Sequence, residues 1–393
     1  MDPKSSAQDH LNSPGGFGLY IHWPYCESKC PYCDFNSHVA TKIDQDEWLA
    51  AYQQEIKRAA EETCGRILQT IYFGGGTPSL MHQDVVAGII EAIRSHWPTV
   101  NDLEITLEAN PGSVEAARFA GYRRAGVNRV SLGVQALDDA SLKSLGRLHS
   151  KAQAMAALNI AHQTFDRVSF DLIYARQFQS LQDWQAELTE ALSLAGDHLS
   201  LYQLTIEDGT AFADRAARGR LAGLPTENLS ADMYEMTQDI CGQAGLPAYE
   251  VSNHARPGAE SRHNMIYWRG GDYVGIGPGA HGRLTLKGGR TATEAQRNPT
   301  AWLRQVQKGM GGDALRTTLD RDEVALEYLL MSLRTNEGLD LARYEQMAGR
   351  PLPANRISSL AELGLLRATD GQLRTTPAGR LVLNGVLKEL AAD

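Results

Sequence analysis

Three cysteines stand close together at Cys26, Cys30 and Cys33, spaced C-x-x-x-C-x-x-C within Cys26-Glu27-Ser28-Lys29-Cys30-Pro31-Tyr32-Cys33. Three thiols cannot all pair as disulfides, so one is always left over. As thiolates they can converge on one soft metal centre, and a cubane [4Fe-4S] cluster takes thiolate ligands. Three ligands leave one iron open to something that is not protein. Structural zinc is the alternative, but it takes four ligands, usually in two separated pairs, and no second pair follows. The chain has 5 cysteines in all. Cys64 and Cys241 stand apart, and each reads as a small buried residue rather than a ligand.

Other residues of chemical interest fall just after short apolar runs. Gly74-Gly75-Gly76-Thr77-Pro78 follows Thr70-Ile71-Tyr72-Phe73. Its glycines let the backbone approach a ligand and leave N–H groups facing it; an ordinary turn is the competing reading. Glu108 ends the run from Leu103 to Leu107, where a lone carboxylate is often only solvated or capping. Gln135, Arg147 and Asp171 also fall at or near the ends of such runs.

Those runs alternate with helical stretches. Strands are expected at Gly18–His22, Thr70–Phe73, Leu103–Leu107, Arg129–Leu132, Val168–Leu172 and Leu199–Leu204. Helices are expected at Asp46–Glu61, Asp84–Ser95, Ser113–Arg124 with a Ser cap, Lys151–Gln163, Leu181–Ala195 and Asn228–Ala244. Strands separated by helices imply a parallel sheet with right-handed crossovers. Six units are fewer than the eight of a full barrel. A doubly wound sheet is the alternative, though no G-x-G-x-x-G follows the first strand. The residues singled out sit after strand C-termini, where barrel sites are built.

The cysteine spacing after a strand resembles the signature of radical S-adenosylmethionine (SAM) enzymes. Tyr20-Ile21-His22-Trp23-Pro24-Tyr25-Cys26 and Cys30-Pro31-Tyr32-Cys33-Asp34-Phe35 are similar to the group containing oxygen-independent coproporphyrinogen III dehydrogenase and a branch of haem chaperones. The resemblance implies a partial (β/α)6 barrel, and a [4Fe-4S] cluster on Cys26, Cys30 and Cys33 whose open iron is chelated by SAM. It implies an electron donor for the cluster, which cleaves SAM to a 5′-deoxyadenosyl radical. Gly75, Gly76 and Thr77 match the motif holding the SAM amino group, and Glu108 matches the carboxylate that pairs with that ammonium. Tyr20, Tyr32, Gln135, Arg147 and Asp171 match further SAM-contacting positions. The dehydrogenase has another cysteine where this chain has Phe35, and a longer N-terminal extension; both departures point to the chaperone branch. A third departure is Tyr174-Ala175-Arg176-Gln177-Phe178-Gln179, where many relatives have Gly-Leu-Pro. His263-Asn264-Met265-Ile266-Tyr267-Trp268 resembles the H-N-x-x-Y-W motif of that branch. It makes His263 a candidate ligand to haem iron, with the rings stacking on porphyrin; a hydrogen-bonded core histidine is the other reading. His254 and His281 are weaker candidates. The function implied is delivery of haem to respiratory haem proteins. The alternative is radical oxidative decarboxylation of coproporphyrinogen III propionates.

Four segments are expected: a polar, disordered tail over 1–16, the barrel over 17–248, a Gly- and aromatic-rich cover and connector over 249–315, and a C-terminal domain over 316–393. The last shows helices at Asp322–Arg334, Leu341–Ala348 and Asn355–Leu363. A hairpin turn at Asp370-Gly371 and a final helix from Pro377 follow, so the α+β unit reads as winged-helix-like. Its balanced charges and lack of a basic stripe make it a packing or partner domain, not a DNA reader.

The 393 residues, 42% hydrophobic and 22% charged, are ordinary for a globular protein. A net charge of −9 argues against bulk nucleic-acid binding. The cysteine usage predicts a reducing cytoplasm. No secretory leader opens the sequence and no run approaches about 18 apolar residues, so any membrane role is expected to be peripheral.

Overall fold

The chain from Phe17 to Trp23 is apolar along nearly its whole length, as a strand covered on both faces must be. It forms β1 (Phe17–Trp23), with only Tyr20 less than fully buried. In this computed structural model, which describes residues 14–40 and 42–392, β1 lies near the middle of an eleven-stranded sheet. The tail expected over 1–16 lies outside the described residues up to position 13. Directly after β1, the short strands β2 (Tyr25–Cys26) and β3 (His38–Val39) pair in parallel and tie together the two ends of the cysteine loop.

Five more strands follow with a helix before each: β4 (Leu68–Gly75), β5 (Thr99–Ala109), β6 (Arg129–Gln135), β7 (Arg167–Tyr174) and β8 (His198–Gln203). Each is parallel to the one before it in the order β1-β4-β5-β6-β7-β8. The intervening helices at Gln45–Glu62, Gln83–His96, Ser113–Ala125, Lys151–Thr164 and Leu181–Leu194 pack on the outside, and Glu227–Gln243 follows β8. This is the partial six-stranded barrel that the resemblance implied. Gly112, not Ser113, occupies the N-cap position of its helix. The apolar core lies between strands and helices, through residues such as Ile21, Phe73, Ile105 and Phe170.

Residues 249–315 are not a loop-rich connector. β9 (Asn253–Ala255) adds antiparallel to β8 at one edge. At the other edge β10 (Asp272–Ile276) pairs in parallel with β1, and β11 (His281–Leu286), β12 (Gly289–Ala295) and β13 (Asp313–Thr318) continue antiparallel. Helix Pro299–Gln307 folds back against helix Gln45–Glu62, where Trp48 and Trp302 stack at 5.5 Å. The C-terminal unit has its own core, including Leu329, Leu339, Leu373 and Leu387. Its small sheet runs β14 (Leu339–Asp340), β16 (Gln372–Thr375), β15 (Leu366–Thr369) beside helices 321–332, 341–348 and 354–362. Among the described residues no helix is long and apolar enough to cross a membrane.

Candidate functional site

The C-terminal ends of the barrel strands open into a cavity of about 480 Å³. Cys26, Cys30 and Cys33 line it from the loop after β1, and Gly75, Gly76 and Thr77 from the end of β4. Glu108, Gln135, Asp171, Arg147 and Tyr32 complete a single lining. Residues 145 positions apart in sequence thus meet because parallel strands put their ends on one rim.

The cysteines are all partly exposed and unpaired. Among the described residues no three His, Cys, Asp or Glu side chains converge closely enough to hold one metal ion. Burial raises the thiol pKa of Cys26 and Cys33, a shift that thiolate coordination overrides. Polar side chains already address the sulfurs. The Thr77 hydroxyl donates to Cys26 Sγ at 3.4 Å and an Arg147 N–H to Cys30 Sγ at 3.6 Å. Arg147 is fixed in turn by the Asn110 side chain at 2.6 Å and the Gly133 carbonyl at 2.7 Å. Hydrogen bonds to sulfur are one means of setting a cluster's potential.

Two N–H groups of the glycine motif are engaged within the protein. The Gly76 N–H donates to the Trp23 carbonyl at 2.7 Å and the Thr77 N–H to the Tyr25 carbonyl at 2.8 Å. These donors hold the turn against the cluster loop and do not face a ligand. An ammonium is itself a donor, so acceptors are what it requires. Close approach explains the residue type: a Cβ on Gly76 would come within 2.7 Å of the Tyr25 carbonyl oxygen, and Gly75 has φ +109°.

Glu108 is the main acceptor. Tyr72 donates to it at 2.7 Å. Desolvation raises its carboxyl to about 7, against the lowering effect of Tyr72, and nearby Asp171 adds to the rise. Asp171 is itself raised to about 6 by desolvation, while hydrogen bonds from Ser200 and Ser131 oppose the shift. Buried Arg129 offsets both rises by its charge. Tyr72, Asn110, Ser131 and Arg129 were missed in the sequence. Asn110 follows Glu108 by two residues, but nothing in one sequence distinguishes it, Tyr72 or Arg129 from structural residues.

Two expected residues lie outside this cavity. Tyr20 donates to His22 Nδ1 at 3.0 Å and lines a neighbouring space. His263, on helix Arg262–Trp268, is 1% exposed. Its Nδ1 meets the Thr70 hydroxyl at 2.7 Å and its Nε2 the Tyr267 hydroxyl at 2.6 Å, while its ring stacks on Tyr72. Both nitrogens are engaged and the ring is buried, the arrangement of a hydrogen-bonded core histidine rather than of an open ligand position. His263→Ala is expected to strand both hydroxyls and lower stability by about 2–4 kcal/mol. Chemical denaturation of the cluster-loaded protein measures this. An unchanged midpoint, together with an altered haem spectrum, would return the residue to ligand status.

Cys241 is buried as expected, but Cys64 is exposed. In the loop that departs from Gly-Leu-Pro, Ala175 and Phe178 carry left-handed φ angles of 57° and 61°. Glycine takes that conformation freely; in this chain Ala175 and Phe178 adopt it. Here Arg176 anchors the loop by pairing with Glu187 at 2.7 Å.

A second cavity, about 530 Å³, adjoins the first. Its walls come from β10 and β11, from Tyr267 and Trp268, and from Tyr328, Met331 and Met347 of the C-terminal unit. Phe35, Gly75 and Glu108 line both spaces.

Comparison with known proteins agrees with this layout. The Radical SAM superfamily pattern matches residues 20–189, and the HemN C-terminal domain pattern matches 319–382. The chain is 41% identical to heme chaperone HemW of Escherichia coli K12 over 380 residues, covering 95% of this chain and 98% of that one. It is 37% identical to the bovine mitochondrial radical S-adenosyl methionine domain-containing protein 1 over 385 residues, covering 95% and 86%. The fold matches that of the E. coli coproporphyrinogen III oxidase HemN, a radical SAM enzyme, with a TM-score of 0.81 at 23% identity, over 100% of this chain and 94% of that one.

Proposed function

The chain belongs to the radical SAM family, in the branch that holds heme chaperone HemW and the mitochondrial radical S-adenosyl methionine domain-containing protein 1, and from that membership we propose that it binds haem and delivers it to haem-requiring proteins. Family membership implies a [4Fe-4S] cluster and SAM. When bound, they supply an electron carrier with an open iron and a ligand for that iron. Cys26, Cys30 and Cys33 would hold the cluster. Glu108 would accept from the SAM ammonium, and Tyr32, Thr77, Gln135, Arg147 and Asp171 would shape the rest of its site. The recipients on this reading are respiratory haem proteins, met in the cytoplasm or peripherally at a membrane. The net charge of −9 favours no nucleic-acid partner.

The observation that carries the proposal is the near end-to-end match to HemW. Phe35, 60% exposed at the rim of both cavities, supports it as the residue in place of the dehydrogenase's further cysteine. The test takes anaerobically reconstituted protein in two arms. Titrated with haem, it is expected to give a saturable change in the haem absorption bands. Given coproporphyrinogen III, SAM and a low-potential reductant, it is expected to form no protoporphyrinogen. Turnover in the second arm without haem binding in the first would replace the chaperone reading with the dehydrogenase one.

A further inference from the structure

The cavity between the barrel edge and the C-terminal unit holds two histidines, and only one is free. His22 is buried; its Nε2–H donates to the Asn36 carbonyl at 3.0 Å and its Nδ1 accepts from Tyr20 at 3.0 Å. His281 is exposed at the start of β11, and no hydrogen bond engages its ring among the described residues. The arginines divide the same way. Arg290 is paired with the fully buried Asp272 at 2.9 Å and Arg283 with Glu327 at 2.8 Å. Arg297 is exposed and its guanidinium pairs with no carboxylate among the described residues.

The backbone that carries these two residues is tied to the cluster loop. The Asn36 amide donates to the Pro278 carbonyl at 2.9 Å and to the Arg297 carbonyl at 2.9 Å. The run Gly275-Ile276-Gly277-Pro278-Gly279-Ala280 then delivers His281. Its glycines are required by contact: a Cβ on Gly277 would sit 2.3 Å from the His22 carbonyl oxygen, and one on Gly279 2.4 Å from the Asn36 amide nitrogen. The same cavity is lined by apolar and aromatic side chains, among them Phe35, Trp268, Tyr328 and Met331. A cavity of about 530 Å³ with flat apolar walls, a free imidazole and a free cation has the character of a site for a planar metallated macrocycle bearing carboxylates.

We infer that this cavity is the haem site, with His281 as the iron ligand and Arg297 as partner to a propionate. The inference rests on the haem-binding reading above. It is tested by titrating the cluster-loaded full chain with haem, as wild type and as His281→Ala, Arg297→Ala and His263→Ala. If the wild type fails to bind haem, the chaperone reading itself falls. If it binds, His281→Ala is expected to shift the haem absorption bands and weaken binding at least roughly tenfold, the scale on which even the groups behind a metal ligand act. Added imidazole should restore the wild-type spectrum in that variant, which it could not do for a merely structural histidine. Both residues are exposed, so melting temperatures should hold. Arg297→Ala should weaken binding less, and leave the spectrum unchanged. A wild-type spectrum and affinity in a folded His281→Ala protein would overturn the assignment while leaving the chaperone reading standing.

Discussion

Cys30→Ser protein, reconstituted anaerobically with iron and sulfide, is expected to lack the broad iron–sulfur absorption entirely. The effect is complete because these three thiolates would be the cluster's whole set of protein ligands. Cys64 is exposed after helix Gln45–Glu62 and Cys241 is buried in helix Glu227–Gln243; neither lines the cavity. A hydroxyl is a poor ligand for a soft metal centre, and Arg147 would lose its sulfur acceptor. Cys26→Ser and Cys33→Ser should behave alike, and Cys64→Ser and Cys241→Ser should keep full iron and sulfide. A Cys30→Ser protein with wild-type iron content would remove the cluster from this loop.

The second large effect is expected at Glu108. Removing the carboxylate partner of an ammonium forfeits a charge-assisted hydrogen bond of about 1.5–3 kcal/mol, or roughly ten- to a hundredfold in SAM affinity. Calorimetry on cluster-loaded Glu108→Ala measures it directly. The pH dependence gives an independent sign. The free carboxyl is raised to about 7 by desolvation, and only its ionised form attracts an ammonium. SAM binding should therefore strengthen as pH rises through about 7 and weaken below it. Glu108→Gln should flatten that slope. Equal affinity in wild type and Glu108→Ala, in folded and cluster-loaded protein, would exclude Glu108 from the SAM site.

Much of this arrangement was legible because its causes are local. The cysteine spacing is a short-range constraint, and the strand-then-polar pattern repeats at each barrel rim, so Glu108, Gln135 and Asp171 could be picked out before their strands were assembled. What was not legible depends on direction. His263 sits among aromatics whether it faces haem or core; the approach of Thr70, 193 residues away, is visible only in the fold. The Gly76 and Thr77 N–H groups turn toward carbonyls of β1's own exit, which glycine content cannot reveal. β10 to β12 were hidden because glycine content is a poor strand signal, whereas here it serves close packing: Gly275 lies so near His281 that a Cβ would meet its carbonyl oxygen at 2.0 Å.

The shared wall of Phe35, Gly75 and Glu108 imposes a thermodynamic symmetry. Ligands on the two sides of these residues would be coupled if either one resets them. Whatever factor one ligand imposes on the dissociation constant of the other, the second returns in full. If filling the cluster-side cavity with SAM ionises Glu108 and tightens the hold on haem, haem must equally tighten the hold on SAM and draw the same proton off. Haem release would then become a question of which ligand leaves first, and a change in SAM level could read out as a change in haem supply.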